Sequence, residues 1–426
     1  MRDIALALVL AVLLPMALRH PWIGVMSWIW VSLMVPHALA YGFMVSKPLA
    51  MMTGGVTLLG LLISTDPKRL PFVAPVILLI LFSLWMVVTY FFSLVPSQDN
   101  LAQLDKVLKI NLFTLVTILA IHTRKQVDIL IAVVAFSVAF YGIKGGIFTI
   151  ATGGEFRVRG EGGFLHGNNE IGLGMVMTVP LLYYFVLTQT NKWIKRALWV
   201  SIALTVAATL GTQSRGALLG IAAMTTAFIL RSPHKLRLIV PIVIGLAFVL
   251  TFMPESWWER MGTISNYQQD ESAMGRINAW TVAFNVATSN FFGAGFTLET
   301  DDIFQRYAPN PAFIAVAHSI YFQVLGQHGF VGLGLYLSFW IAVLWNCRWL
   351  ARNARDGADL ALARMIEISL IGFAVGGAFL NLAYFDGPYY LMAALVIVRH
   401  KILNNVPRPR DVAAAAMPRL QTAARP

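Results

Sequence analysis

Apolar residues run through the chain in long blocks separated by short charged connections, a pattern that reads as a series of membrane-spanning helices. Thirteen stretches stand out: 4–18, 22–45, 48–63, 72–95, 107–121, 127–150, 170–188, 193–211, 216–230, 236–253, 319–347, 365–383 and 386–403. The last eleven are long enough, with their flanks, to cross about 30 Å of hydrocarbon. In the first pair, 4–18 is short and Pro36-His37 interrupts 22–45. The pattern stops for one long interval, 254–318, and loops of that size are usually functional or disordered. Trp257, Trp258, Phe291, Phe292 and Phe296 argue for order there, so the expectation is short amphipathic helices resting on the membrane surface. The predicted fold class is an all-α polytopic membrane protein.

Composition removes the soluble alternatives. Of 426 residues, 58% are hydrophobic and only 12% charged, half the charged share of a soluble domain. The net charge of +12 would suggest nucleic acid in a soluble protein, but here it sits mostly in short connections, where it reports orientation. Lys68 and Arg69; Arg124 and Lys125; Lys192, Lys195 and Arg196; Arg231, Lys235 and Arg237; and Arg348, Arg352, Arg355 and Arg364 mark alternate connections. Arg399, Lys401, Arg408 and Arg410 follow the last span. All are expected to be cytoplasmic. With Arg2 also cytoplasmic, residues 1–45 contribute one net crossing, for about 12 transmembrane helices. The layout is a bundle over 1–253 with about nine net crossings, a translocated loop region over 254–318, C-terminal helices over 319–403 and a disordered cytoplasmic tail over 404–426. The single cysteine, Cys347, excludes an intrachain disulfide and a cysteine-based metal site. Residues 1–20 begin like a signal peptide, but Pro15-Met16-Ala17-Leu18-Arg19 lacks a cleavage pattern, so the segment is expected to be retained.

Three segments fall on the translocated side: 151–169, the turn 212–215 and 254–318. They carry Arg157, Arg159, Arg215, Arg260, Arg276 and Arg306, and no lysine. Positive charge there runs against the orientation rule, and guanidinium groups bind phosphate oxygens in pairs, so a phosphorylated lipid is the natural partner. The competing reading pairs these arginines with Glu155, Glu161, Glu255, Glu259, Asp270 and Glu271 in surface salt bridges. Arg215 escapes it best, because Thr212-Gln213-Ser214-Arg215-Gly216 holds no carboxylate. Two histidines, His166 and His318, share that side. His318, where the long loop re-enters the membrane, is either an interfacial histidine or a proton acceptor near neutrality.

The order of these features resembles the O-antigen ligase and polymerase superfamily of bacterial envelope glycosyltransferases. The residues are Ser214-Arg215-Gly216, Gly275-Arg276, Trp280, Phe292-Gly293-Ala294-Gly295-Phe296, His318-Ser319 and the spaced glycines Gly326, Gly329 and Gly332, over roughly 200–340. Arg19-His20-Pro21-Trp22-Ile23-Gly24 resembles the branch labelled exosortase-associated O-glycosylation ligases. The resemblance implies a multi-pass enzyme of the bacterial inner membrane with a periplasmic active site. Such an enzyme takes a glycan from undecaprenyl pyrophosphate and joins it to a sugar of lipid A–core in lipopolysaccharide maturation. It also implies that Arg215 and Arg276 hold the pyrophosphate and that His318 is the catalytic base; adding Arg157 and Arg159 to the phosphate site is our own reading. Arginines supply the charge that the departing pyrophosphate needs without a metal or other cofactor, and single displacement inverts the anomeric centre. The glycines read as close helix packing.

Three other readings compete. A metal-dependent transferase needs an outward acidic cluster, for which Glu299, Asp301 and Asp302 are the candidates against ordinary solvated loop acids. Gly160-Glu161-Gly162-Gly163 lacks the G-K-[ST] ending of a nucleotide phosphate loop. A transporter or flippase keeps ionisable groups at mid-membrane, whereas Lys109, Lys144, Glu170 and Glu367 read as lying nearer span ends. Within the enzyme class, a polymerase or a protein O-oligosaccharyltransferase shares the same motifs.

Overall fold

The computed structural model describes residues 1–231, 251, 254–255, 257–258 and 271–403, and no β-strand occurs among them. The expected span 236–253, Arg260 and the tail 404–426 lie wholly or almost wholly outside the described residues. The first nine helices are α1 (Arg2–Arg19), α2 (Pro21–Met34), α3 (Leu49–Ile63), α4 (Ala74–Phe91), α5 (Gln98–Ala120), α6 (Arg124–Ala151), α7 (Asn168–Thr188), α8 (Lys192–Gly211) and α9 (Arg215–Arg231). They are followed by α10 (Glu271–Ser289), α11 (Asp301–Tyr307), α12 (Ile320–Arg352), α13 (Gly357–Gly377) and α14 (Asp386–Ile397). Six of these, α4, α6, α7, α8, α12 and α13, are long and apolar enough to cross a membrane. The protein is a multi-pass membrane protein.

Local capping chemistry sets the helix starts, and in two places it moves them away from the edge of the apolar run. Ser97 accepts a hydrogen bond from the Asn100 amide (3.1 Å), which starts α5 nine residues before its apolar block at 107. Asp356 accepts from the Asp359 amide (2.8 Å), so α13 begins at Gly357 rather than near 365. Glu367 therefore sits well inside α13 and not near its end. It is 1% exposed and pairs with Arg231 and with Arg348 (3.3 Å). A buried carboxylate held by two guanidiniums ties α9, α12 and α13 together.

The first 45 residues also differ from expectation. Helices α1 and α2 run antiparallel about His20, and α2 stops where Val35 turns left-handed (φ 48°) before Pro36. The chain then returns to its start: Arg2 donates to the Leu39 carbonyl (3.2 Å) and the Tyr41 hydroxyl (3.1 Å), and Asp3 accepts from the Gly42 and Met44 amides (3.0 Å each). Arg2 and Lys144 line one groove. The pair therefore goes and returns, placing Arg2 at the same end of the bundle as residues 151–169, instead of making one net crossing. We call this the upper end, and the end carrying Arg124, Asp128 and Asp359 the lower end.

Close backbone approach fixes the upper end. Gly142 and Gly146 of α6 face Thr205 and the Leu204 carbonyl of α8, leaving no room for a side chain. This contact carries residues 151–158 across the end of α8, where the Val158 amide bonds the Gly211 carbonyl (3.0 Å). The described part of the 254–318 region folds onto the same end, with one long helix and one short one among the described residues. Its α10 has 19 residues and packs on α12, α11 has 7, and Trp257 is buried against Leu210.

Candidate active site

Each piece of the sequence pattern has a distinct mechanical job. The Ser214 hydroxyl accepts from the Ala217 amide (3.2 Å) and caps α9, while Gly216 lets α9 approach the Gly376 carbonyl of α13. Packing thus accounts for the serine and the glycine and leaves Arg215, half-buried at the helix start, as the chemically equipped member. Gln213, in the left-handed region (φ 54°), uses both ends of its amide: Nε2 donates to the Gly154 carbonyl (3.1 Å) and Oε1 accepts from Arg157 Nε (3.1 Å). Arg157 and Arg159 flank the buried Val158 in an extended segment, so both point to the exposed side. The segments 151–169 and 212–215 are therefore joined into one structure at the upper end.

Arg276 and Trp280 lie four residues apart on α10 and share a face. Trp280 Nε1 donates to the Ala317 carbonyl (2.6 Å), and its ring stacks on Phe322 (5.1 Å between centroids). That anchor delivers the next residue, His318, close enough to Arg276 for the guanidinium to act on its imidazole. His318 is half-buried and adopts a left-handed backbone (φ 43°), and its Nδ1 is buried without a hydrogen-bond partner among the described residues. Non-glycine residues take this conformation only where the surroundings enforce it. Burial, reinforced by the Arg276 charge, lowers the His318 pKa from 6.5 to about 4, so the imidazole is neutral at pH 7.

The first turn of α7 joins the two halves. Asn168 Nδ2 donates to the Thr212 carbonyl (2.9 Å), and Glu170 lies within electrostatic reach of both His166 and Arg276. The connection between α13 and α14 closes the other side: Phe379 meets Gly216 and stands 6.4 Å from the Trp280 ring. Arg276, His318 and Glu170 thus form one group, with Arg157, Gln213 and the Arg215 turn beside it. Arg159 and Arg306 are exposed and have no ion pair among the described residues, and Glu161 pairs with Lys144 (3.2 Å) rather than with an arginine. Sequence reasoning passed over Glu170 as a charge at a span end; its signal was an acid at the start of an apolar span, just after His166-Gly167.

The glycine-spaced helix does more than pack. Helix α12 is broken at Gly329 (φ 67°, ψ −172°), which frees the Gly326 and Gln327 carbonyls to accept from the Ala294 (2.9 Å) and Gly295 (3.0 Å) amides. Gly293 fits against Gln327 with no space for a β-carbon. The loop 292–296 is therefore a clamp on a broken helix. Below it the fully buried His328 meets Thr89 through Nδ1 (2.7 Å) and Tyr384 through Nε2 (2.8 Å), and Tyr384 donates to Gln327 (2.6 Å). Of the acidic trio, Asp301 and Asp302 are exposed in the first turn of α11 while burial raises the pKa of Glu299. No group of three or more metal-ligating side chains gathers among the described residues.

Residues 200–337 match the family described as O-Antigen ligase, a range that contains Arg215, Arg276, Trp280, the 292–296 clamp and His318. This match, over about a third of the chain, supports membership in the O-antigen ligase and polymerase superfamily. Residues 1–190 match a family of unknown function, DUF5935. No curated protein matches the chain. The match supports an O-antigen ligase or polymerase type of function.

Proposed function

We propose that this member of the superfamily is an O-antigen ligase that transfers a glycan from undecaprenyl pyrophosphate to a sugar hydroxyl of lipid A–core. In this reading the protein lies in the bacterial inner membrane, and the upper end, with the 254–318 region, faces the periplasm. The observation that carries the reading is the neighbourhood of Arg276 and His318, held by the Trp280–Ala317 hydrogen bond.

The chemistry follows from the charges. The acceptor hydroxyl oxygen attacks the anomeric carbon, the glycosyl–phosphate bond breaks, and its electron pair leaves with the pyrophosphate. Arg215 and Arg276 hold the pyrophosphate, with Arg157 and Arg159 extending the cationic surface, so the charge growing on the leaving group meets preorganised donors. The hydroxyl proton passes to neutral His318. An imidazole with a pKa near 4 is a weak base, and Arg276 is part of the reason. A bound pyrophosphate cancels the Arg276 charge, so His318 gains basicity only when donor is present. Attack and departure on opposite faces invert the anomeric centre.

The test mixes purified protein with glycan-loaded undecaprenyl pyrophosphate and lipid A–core in EDTA, with His318→Ala alongside. A ligated product that requires His318 supports the reading. Product from His318→Ala removes the general base. If lipid A–core stays unmodified in EDTA and in Mg²⁺ while the donor glycan lengthens or passes to protein, the acceptor assignment fails.

A further inference from the structure

A groove of about 420 Å³ runs between α1, the end of α2 and α6, and none of Arg215, Arg276 and His318 lines it. Its wall is apolar, built from Leu6 and Val9 of α1, Trp30 of α2 and Phe140 of α6. Val9 and Phe140 are 44% and 38% exposed, so the groove opens on the outer face of the bundle, where acyl chains lie. Arg2 starts α1 at the upper end, and Lys144 stands one turn above Phe140 on α6. The two cations therefore crown the apolar wall, and no carboxylate lines the groove among the described residues.

Both cations are held in place and both keep donors in reserve. Arg2 uses only Nη1, on the Leu39 carbonyl (3.2 Å) and the Tyr41 hydroxyl (3.1 Å), with its guanidinium 5.0 Å from the Tyr41 ring centroid. Its Nε and Nη2 make no hydrogen bond among the described residues. Lys144 meets Glu161 at 3.2 Å in a pair exposed on both sides, a weak contact that an incoming phosphate can share. The neighbouring Asp3 is taken up by the Gly42 and Met44 amides. Two cations above an apolar slot match a phosphate above an acyl chain. We propose that this groove seats an anionic phospholipid, its phosphate on Arg2 and Lys144 and one acyl chain against Leu6, Val9, Trp30 and Phe140. A zwitterionic lipid fits less well, because its ammonium finds no unengaged carboxylate lining the groove. The inference needs only the membrane setting and not the glycosyl-transfer reading.

Delipidated full-length protein in detergent is titrated with phosphatidylglycerol and with phosphatidylethanolamine of the same acyl chains, and bound lipid is counted by native mass spectrometry. Phosphatidylglycerol is expected to bind about tenfold more tightly. Arg2→Gln and Lys144→Gln are each expected to weaken it about fivefold. Val9→Trp, which fills the slot, should weaken it with both cations in place, and Arg276→Gln should keep it. Arg2 also ties residues 39–41, so Lys144→Gln and Val9→Trp, both at exposed positions, carry the test if Arg2→Gln lowers the melting temperature. Equal affinity for the two lipids, unchanged binding in Lys144→Gln and Val9→Trp, or loss only in Arg276→Gln overturns the proposal. Displacement of phosphatidylglycerol by an equal concentration of undecaprenyl phosphate overturns the choice of occupant and gives the groove to the polyprenyl carrier.

Discussion

Removing the Arg276 charge should make His318 a stronger base, and the structure bounds by how much. The His318 pKa falls from 6.5 to about 4, burial being the larger cause and Arg276 the smaller. The whole gap corresponds to about 3 kcal/mol, so Arg276 accounts for less than half of it, roughly one pH unit at most. Arg276→Gln is therefore expected to raise the His318 pKa and to leave it below 6.5, because burial remains. The assay is NMR of protein carrying ¹³Cε1-labelled histidine, with the His318 signal assigned by its loss in His318→Gln. Saturating pyrophosphate should move the wild-type signal the same way. Linkage gives a second readout. The unfolded chain takes up this proton near pH 6.5 and the folded chain only near 4, so His318 costs stability as pH falls through that window, by about 3 kcal/mol at the lower end. His318→Gln should flatten that part of the stability curve relative to wild type. A wild-type pKa at or above 6.5, or a shift downward in Arg276→Gln, would refute the argument.

Three further outcomes follow from the packing. Gly329→Ala places a methyl group against the Phe291 carbonyl in a left-handed backbone, and it should destabilise the protein by about 2 kcal/mol or more, seen as a lower melting temperature in detergent. Gln213→Ala removes the hydrogen bond that ties Arg157 to the 212–215 turn and the one to the Gly154 carbonyl; a stability loss of about 1–2 kcal/mol should come with a raised KM for the lipid-linked donor and a smaller change in kcat. Glu367→Gln leaves the partly exposed Arg231 and Arg348 without their shared carboxylate, and a loss of about 1–3 kcal/mol is expected in denaturation experiments, whereas Lys109→Gln, which breaks an exposed pair with Asp105, should cost under about 1 kcal/mol.

Much of the fold was legible because a span must satisfy its own backbone and cover itself with apolar side chains, which leaves a signal along the chain. The runs at 48–63, 127–150, 170–188 and 193–211 lie within three residues of α3, α6, α7 and α8 at each end. The signal failed where polar caps rather than apolar content set the boundary, as at Ser97 and Asp356, and where charge alone had to place Arg2. For the site, the sequence by itself determined the ingredients: arginines against the orientation rule, one histidine at a re-entry point, and an ordered motif set lying within the residues 200–337 that match the O-Antigen ligase family. Only the tertiary structure decided their neighbours. That Trp280 brings His318 to Arg276, that Gln213 joins Arg157 to the 212–215 turn, and that Glu170 comes within reach of Arg276 are relations between residues tens to hundreds of positions apart. No local pattern encodes them, because a hydrogen bond across the bundle depends on how helices cross and where each one starts, and a single residue's shift of register would turn the side chain away.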